Sequence, residues 1–141
     1  MAAARAAARH SHSPYSGFAV GAALLLDNGS VVTGTNFENA SYGLTLCAET
    51  VALAKANSEG ALRSVTEIAI IGGKRDDKGK IVGNTPVRPC GRCRQVLNEA
   101  AGLARRDIAV HCGSADGKII ETHALSALLP LAFGPGDLGL E

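Results

Sequence analysis

Cysteines fall at two places where helices are expected to begin. That coincidence constrains the fold of this 141-residue chain more than any other feature. Cys47 stands in Leu46-Cys-Ala-Glu-Thr50, just ahead of an alanine-rich apolar run, and Cys90 and Cys93 form the C-x-x-C of Pro89-Cys-Gly-Arg-Cys93. Three positions apart on a helix, Cys90 and Cys93 lie about 60° apart around its axis, near enough to share one ion. Taken alone, a C-x-x-C is equally a redox pair or two small buried hydrophobes. Cys47 adds a third thiol at a second helix start. A fold that brings the two helix N-termini together gathers three sulfurs, the donor set of a zinc site that keeps one position for water.

The charges suit that placement. Zinc and three thiolates sum to −1, and each helix N-terminus supplies roughly +0.5 together with unpaired N–H groups. Glu49 follows Cys47 by two residues, and in mid-helix such a pair points to nearly opposite sides. In the first turn, side chains converge on a ligand placed end-on to the helix, so Glu49 is expected to reach the open position. A glutamate there otherwise only complements the helix dipole. Zinc brings the pKa of a water it holds to about 7, and a carboxylate beside it typically contributes about 10²–10⁴-fold by moving a proton. Hydrolysis at an electron-poor carbon is the reaction class this arrangement serves.

Composition narrows the class. Hydrophobic residues make up 46% and charged residues 19%, the balance of a single globular domain, here residues 1–141. A net charge of +1 offers no basic face for nucleic acid or an anionic membrane, and 4% aromatics argue against stacking on single strands. No apolar run approaches the roughly 20 residues of a membrane span. The opening Met1–His10 has no apolar signal core, and its alanines and arginines read as a first helix. Four cysteines without a signal peptide point to a reducing, cytoplasmic compartment. Phe18–Leu26 and Val31–Phe37 read as a hairpin around Asp27-Asn28-Gly29-Ser30, and Val65–Ile71 as a buried strand closed by Gly72-Gly73. Leu46–Asn57 and Cys90–Ala101 read as helices, the second stopped by Gly102. Lys74–Asn84 reads as a solvated loop, Ile108–Cys112 and Lys118–Glu121 as strands, and His123–Leu129 as a last short helix. Interleaved strands and helices favour an α/β sandwich with a central sheet. Cys112 is expected in the core and His111 beside it is spare, since three thiols already fill the ligand set.

Cys47-Ala-Glu49 followed by Pro-Cys-Gly-Arg-Cys-Arg-Gln-Val-Leu97 resembles the zinc-dependent cytidine deaminases. Pro14–Ala23, Asn36–Tyr42 and Leu128–Pro135 resemble that family's first strand, nucleoside-binding and C-terminal segments. The resemblance implies a three-layer α/β/α fold with a central mixed five-stranded sheet flanked by helices. It implies one Zn2+ per chain on Cys47, Cys90 and Cys93, with Glu49 as catalytic proton shuttle. Substrate contacts implied in the same way are Phe18 at the base, Asn36 and Glu38 at the ribose, and Ala40, Ala48, Tyr42 and Phe133 around the pocket. Some of these come from a neighbour in a homotetramer. The expected reaction is hydrolytic deamination of cytidine and 2′-deoxycytidine in pyrimidine salvage, with a small nucleoside as partner and neither nucleic acid nor membrane.

Many three-cysteine members carry arginine where this chain has Thr50, so the thiolate charge must be balanced by helix ends or another cation, Arg94 being a candidate. Three other functions stand as alternatives: deamination of a cytosine-containing antibiotic, editing of a polynucleotide, and a non-catalytic zinc module. The net charge offers no phosphate track, and a closed structural site takes four protein ligands where three are found here.

Overall fold

Strand β1 (Phe18–Leu26) recruits a partner on each side. β2 (Val31–Thr35) and β3 (Val65–Arg75) both pair with it antiparallel. β5 (Ala109–Ser114) then joins β3 in parallel, and β6 (Ile120–Ala124) closes the far edge antiparallel to β5. The order is β2-β1-β3-β5-β6, a mixed sheet. Its one parallel pairing needs a crossover, and helix α3 (Gly91–Ala104) supplies it. The computed structural model describes residues 1–140.

Strand alternation sorts the two faces. The cross-strand rows Leu24–Ile68–Val110 and Ala22–Ile70–Cys112 lie on one face, fully buried under α2 (Ala48–Ser58) and α3. Ala23 and Ala69 face the other way, where α1 (Ala2–Ala8) lays Ala4 against them and against Ile71. The expected three layers are therefore present, with α1 as the N-terminal helix and Cys112 in the core. Among the described residues no helix is long and apolar enough to cross a membrane.

Three expectations need correction. The sheet has six strands rather than five: β4 (Ile81–Val82) pairs with Lys74 and Arg75. The segment read as a solvated loop thus contains a hairpin. Its turn is organised by Asp76, whose Oδ1 accepts the N–H groups of Lys78 at 3.0 Å and Lys80 at 2.8 Å, an Asx-type turn that charge alternation conceals. Second, α3 does not stop at Gly102 but runs to Ala104 and ends on Arg105 in the left-handed region, φ 53° and ψ 41°. Gly102 lies inside the helix, and its missing Cβ makes room for the ring of Pro135, 2.8 Å from where a Cβ would stand. Third, His123 belongs to β6, and the last helix is only α4 (Leu125–Leu128).

Candidate zinc and nucleoside site

Leu46 is not helical. Its N–H donates to the Phe37 carbonyl at 2.9 Å, and the Phe37 N–H donates back to the Leu46 carbonyl at 3.0 Å. This holds the backbone extended up to Cys47, the N-cap of α2, with φ −73° and ψ 153°. The rule for i and i+2 pairs therefore does not apply, because Cys47 lies outside the helix and Glu49 is its second residue. Cys90 is likewise an N-cap, and its Sγ accepts the Cys93 N–H at 3.4 Å. That is the bond an N-cap side chain makes to the third helical residue. Two helix starts meet, and the three sulfurs lie within 4.8 Å of one another, with Cys47 and Cys90 Sγ 3.9 Å apart.

Sulfurs bound tetrahedrally to one zinc at about 2.3 Å stand about 3.8 Å apart. The trio fits such an ion in both chemistry and spacing, and Zn2+ is the cofactor of this site. The thiols influence one another strongly. Cys47 is lowered to about 6, chiefly by the hydrogen bond from the Cys93 thiol, with the charge of Arg92 adding to the effect. Cys93 is raised by that same bond and by burial. Glu49 is 4% exposed, and burial pushes its carboxyl above the usual carboxylate range, with the charge on Cys47 adding to the push. A carboxyl that holds its proton more tightly than usual beside the three sulfurs is suited to moving a proton.

The Phe37–Leu46 pairing also sets Asn36 and Glu38 beside the metal end of α2. In extended backbone, residues two apart share a side, so Asn36 and Glu38 project together while Phe37 faces the other way. Glu38 is 8% exposed. Its Oε2 accepts the N–H of Tyr15 at 2.9 Å and of Ser16 at 3.2 Å, and Oε1 accepts the Ser16 hydroxyl. Those bonds, the Ser16 hydroxyl first, hold its carboxyl below the usual range. Asn36 is held by Val20, Phe18 and Ser11. Phe18 lines a cavity of about 390 Å3, walled also by Gly73, Val82 and Pro86, on the segment that leads into Cys90. Helix α2 reaches this corner because Gly34 in β2 lets it touch the sheet. A Cβ there would stand 2.4 Å from Ala52 N and 2.5 Å from the Ala48 carbonyl.

Comparison with known proteins now bears on the reading. A family model described as the cytidine and deoxycytidylate deaminase zinc-binding region matches residues 1–109. The chain belongs to that deaminase family. A cytidine deaminase from Halalkalibacterium halodurans is 50% identical over 125 residues, covering 89% of this chain and 84% of that one. One from Mycobacterium tuberculosis is 42% identical over 135 residues, covering 96% and 87%. The crystal structure of cytidine deaminase from Burkholderia pseudomallei superposes with a TM-score of 0.79 at 38% identity, covering 94% of each chain.

As a deaminase-family chain, it handles its thiolate charge in its own way. Thr50 places Oγ1 3.8 Å from Cys93 Sγ, so a hydroxyl stands against the sulfur. The Arg94 guanidinium donates to the carbonyls of Pro89 and Leu128, both at 2.9 Å. Arg92 is the arginine whose charge acts on Cys47. His111 sits on the face opposite the thiols, bonded to Glu67 at 2.7 Å and Thr122 at 2.9 Å, and is not a ligand. Of the remaining expected contacts, Ala48 is wholly buried as the first residue of α2 and Ala40 is exposed. Tyr42 is 73% exposed and lies edge-on to Tyr15. Phe133 is 61% exposed, and Gln95 and Asn98 of α3 hold its carbonyl. A larger cavity of about 710 Å3, lined by Arg5, Arg9, Lys80 and Asp116, touches none of the residues assigned to the site. The sequence reading missed Ser11 and Ser16, whereas Arg92 was expected to be exposed or charge-balancing. Ser16 stands inside the quoted Pro14–Ala23 segment, but only the folded chain shows what its hydroxyl meets.

Proposed function

We propose that this protein hydrolytically deaminates cytidine and 2′-deoxycytidine, releasing ammonia and uridine or 2′-deoxyuridine, as a step of pyrimidine salvage. The observation that carries the proposal is the buried carboxylate of Glu49 at the same helix end as three clustered sulfurs. Cys47, Cys90 and Cys93 hold the zinc, which when bound supplies the Lewis acidity that makes water a nucleophile near neutral pH. Glu49 takes a proton from the attacking water and passes it to N3 of the pyrimidine as the water oxygen bonds to C4. It then carries the proton of the new C4 hydroxyl to the exocyclic amine, so that the C4–N bond breaks with ammonia as the leaving group and C4 keeps the oxygen as a carbonyl. Asn36 and Glu38 bind the sugar, Phe18 packs on the base, and Ala40 and Ala48 border the pocket.

Tyr42 and Phe133 complete the pocket of a neighbouring chain in a homotetramer. Their exposure in a single chain, with that of Leu44, Leu131 and Leu138 nearby in sequence, supports this reading. Thiolate ligands call for a reducing compartment, which favours the cytoplasm and a single catalytic domain working there. The test is Glu49→Gln. The variant should keep its zinc by metal count and lose about 10²–10⁴-fold in turnover, followed as the ultraviolet change from cytidine to uridine. Turnover close to the parent's would remove Glu49 from the reaction.

A further inference from the structure

Counting donors and acceptors at Asn36 and Glu38 shows how little each has left. A side-chain amide has two N–H groups and two lone pairs. Asn36 Nδ2 donates to the Phe18 carbonyl at 2.9 Å, and Oδ1 accepts the Val20 N–H at 2.8 Å. A backbone N–H can only donate and a carbonyl can only accept, so the amide cannot be turned over. Ser11 Oγ lies 3.0 Å from Ser13 Oγ and also contacts Asn36 Oδ1. It has one proton, and an amide oxygen cannot offer another, so Ser11 donates to Asn36 and fills its second lone pair. Asn36 is left with a single free N–H.

Glu38 is nearly filled in the complementary sense. A carboxylate has about four acceptor positions. Two on Oε2 take the N–H groups of Tyr15 and Ser16, and one on Oε1 takes the Ser16 hydroxyl. Ser16 Oγ itself accepts the Phe18 N–H at 3.0 Å, which turns its proton toward Glu38. One acceptor position remains. A free donor and a free acceptor on the same side of an extended segment match a group that both accepts and donates, which is one hydroxyl.

We infer that Ser11 and Ser16 are positioning residues: they exhaust the surplus hydrogen-bonding capacity of Asn36 and Glu38, so that the pair recognises one sugar hydroxyl. Neither serine touches the substrate. The inference rests on the proposed reading of Asn36 and Glu38 as sugar contacts. Without Ser16, the Glu38 carboxylate gains an acceptor position and can rotate. Without Ser11, Asn36 Oδ1 regains one, and water can occupy either.

The test compares cytidine with 2′,3′-dideoxycytidine, which lacks both ring hydroxyls, on the zinc-loaded enzyme. Ser16→Ala should raise KM for cytidine about tenfold, the usual order for losing one bond to a charged group. The value of kcat should move much less, and dideoxycytidine kinetics should move less than twofold. Ser16→Thr, which keeps the hydroxyl, should restore the parent KM. Ser11→Ala should shift KM the same way by a smaller factor. Equal losses on both substrates, or an unchanged KM for cytidine in both alanine variants, would overturn the positioning role. Glu38→Gln separates the two claims. If it fails to erase the preference for cytidine over dideoxycytidine, the sugar-contact reading itself falls. If it erases the preference while the serine variants do not alter KM, only the positioning inference falls.

Discussion

Glu38 and Glu49 are both buried carboxylates, and their surroundings drive them in opposite directions. Three hydrogen bonds around Glu38 favour its charged form, whereas desolvation around Glu49 favours the protonated one. The stability that Glu38 contributes is fully present above the ordinary glutamate pKa of about 4.3 and is lost as pH falls through its lower folded value. Glu38→Gln should therefore destabilise by about 1–3 kcal/mol at neutral pH. In thermal melts the gap to the parent should stay constant down to mildly acidic pH and close below the folded value. A gap that widens on acidification would contradict the bonding seen around Glu38. Cys90 offers a second residue-scale test, since serine is itself a strong N-cap. Cys90→Ser should keep the cap and α3 helicity by circular dichroism, while bound zinc falls well below one per chain.

At the scale of elements, the contact that matters is α2 lying directly on the backbone of β2. Gly34 permits it, and the same contact carries Cys47 and Glu49 to the metal end. Gly34→Ala must push the helix away, at a cost of about 1–3 kcal/mol for overpacking. The two readouts should fall together, melting temperature and zinc content. Loss of stability with full zinc would mean that α2 moves without disturbing the sulfurs.

The elements also show what pattern reading can reach. β1, the core of β3, α2 and α3 were expected near their observed positions because alternation and helix-forming runs are local properties. The extra strand β4 was hidden, because two residues leave no period and its turn depends on one carboxylate accepting two N–H groups. The true end of α3 was hidden because Gly102 serves packing against Pro135, 33 positions beyond it, and not a helix stop.

For the whole molecule, the exposed aromatics carry the next expectation. If Phe133 of one chain completes the pocket of another, Glu49→Gln and Phe133→Ala each impair a different part of a shared site. Coexpressing the two variants should then give mixed assemblies with more turnover than either variant alone. Sedimentation should place the parent at the mass of four chains. No recovery in mixed assemblies, with four-chain mass intact, would confine Phe133 to its own chain.

The sequence by itself determined the chemistry of the metal end. Which atoms are soft donors and which group can take up and release a proton are properties of cysteine and glutamate, and helix-start patterns around them can be read from neighbours a few residues away. Only the tertiary structure decided which donors and acceptors of Asn36 and Glu38 are already taken, that the charge of Arg92 acts on Cys47, and the placement of Asn36 and Glu38 on the segment paired next to Cys47. Asn36 and Glu38 are fixed by residues 16 to 25 positions away, through the Phe37–Leu46 pairing and the strap of Ser11 to Ser16, and Cys47 meets Arg92 from 45 positions away. No local pattern encodes a hydrogen bond whose two ends are joined only by the fold.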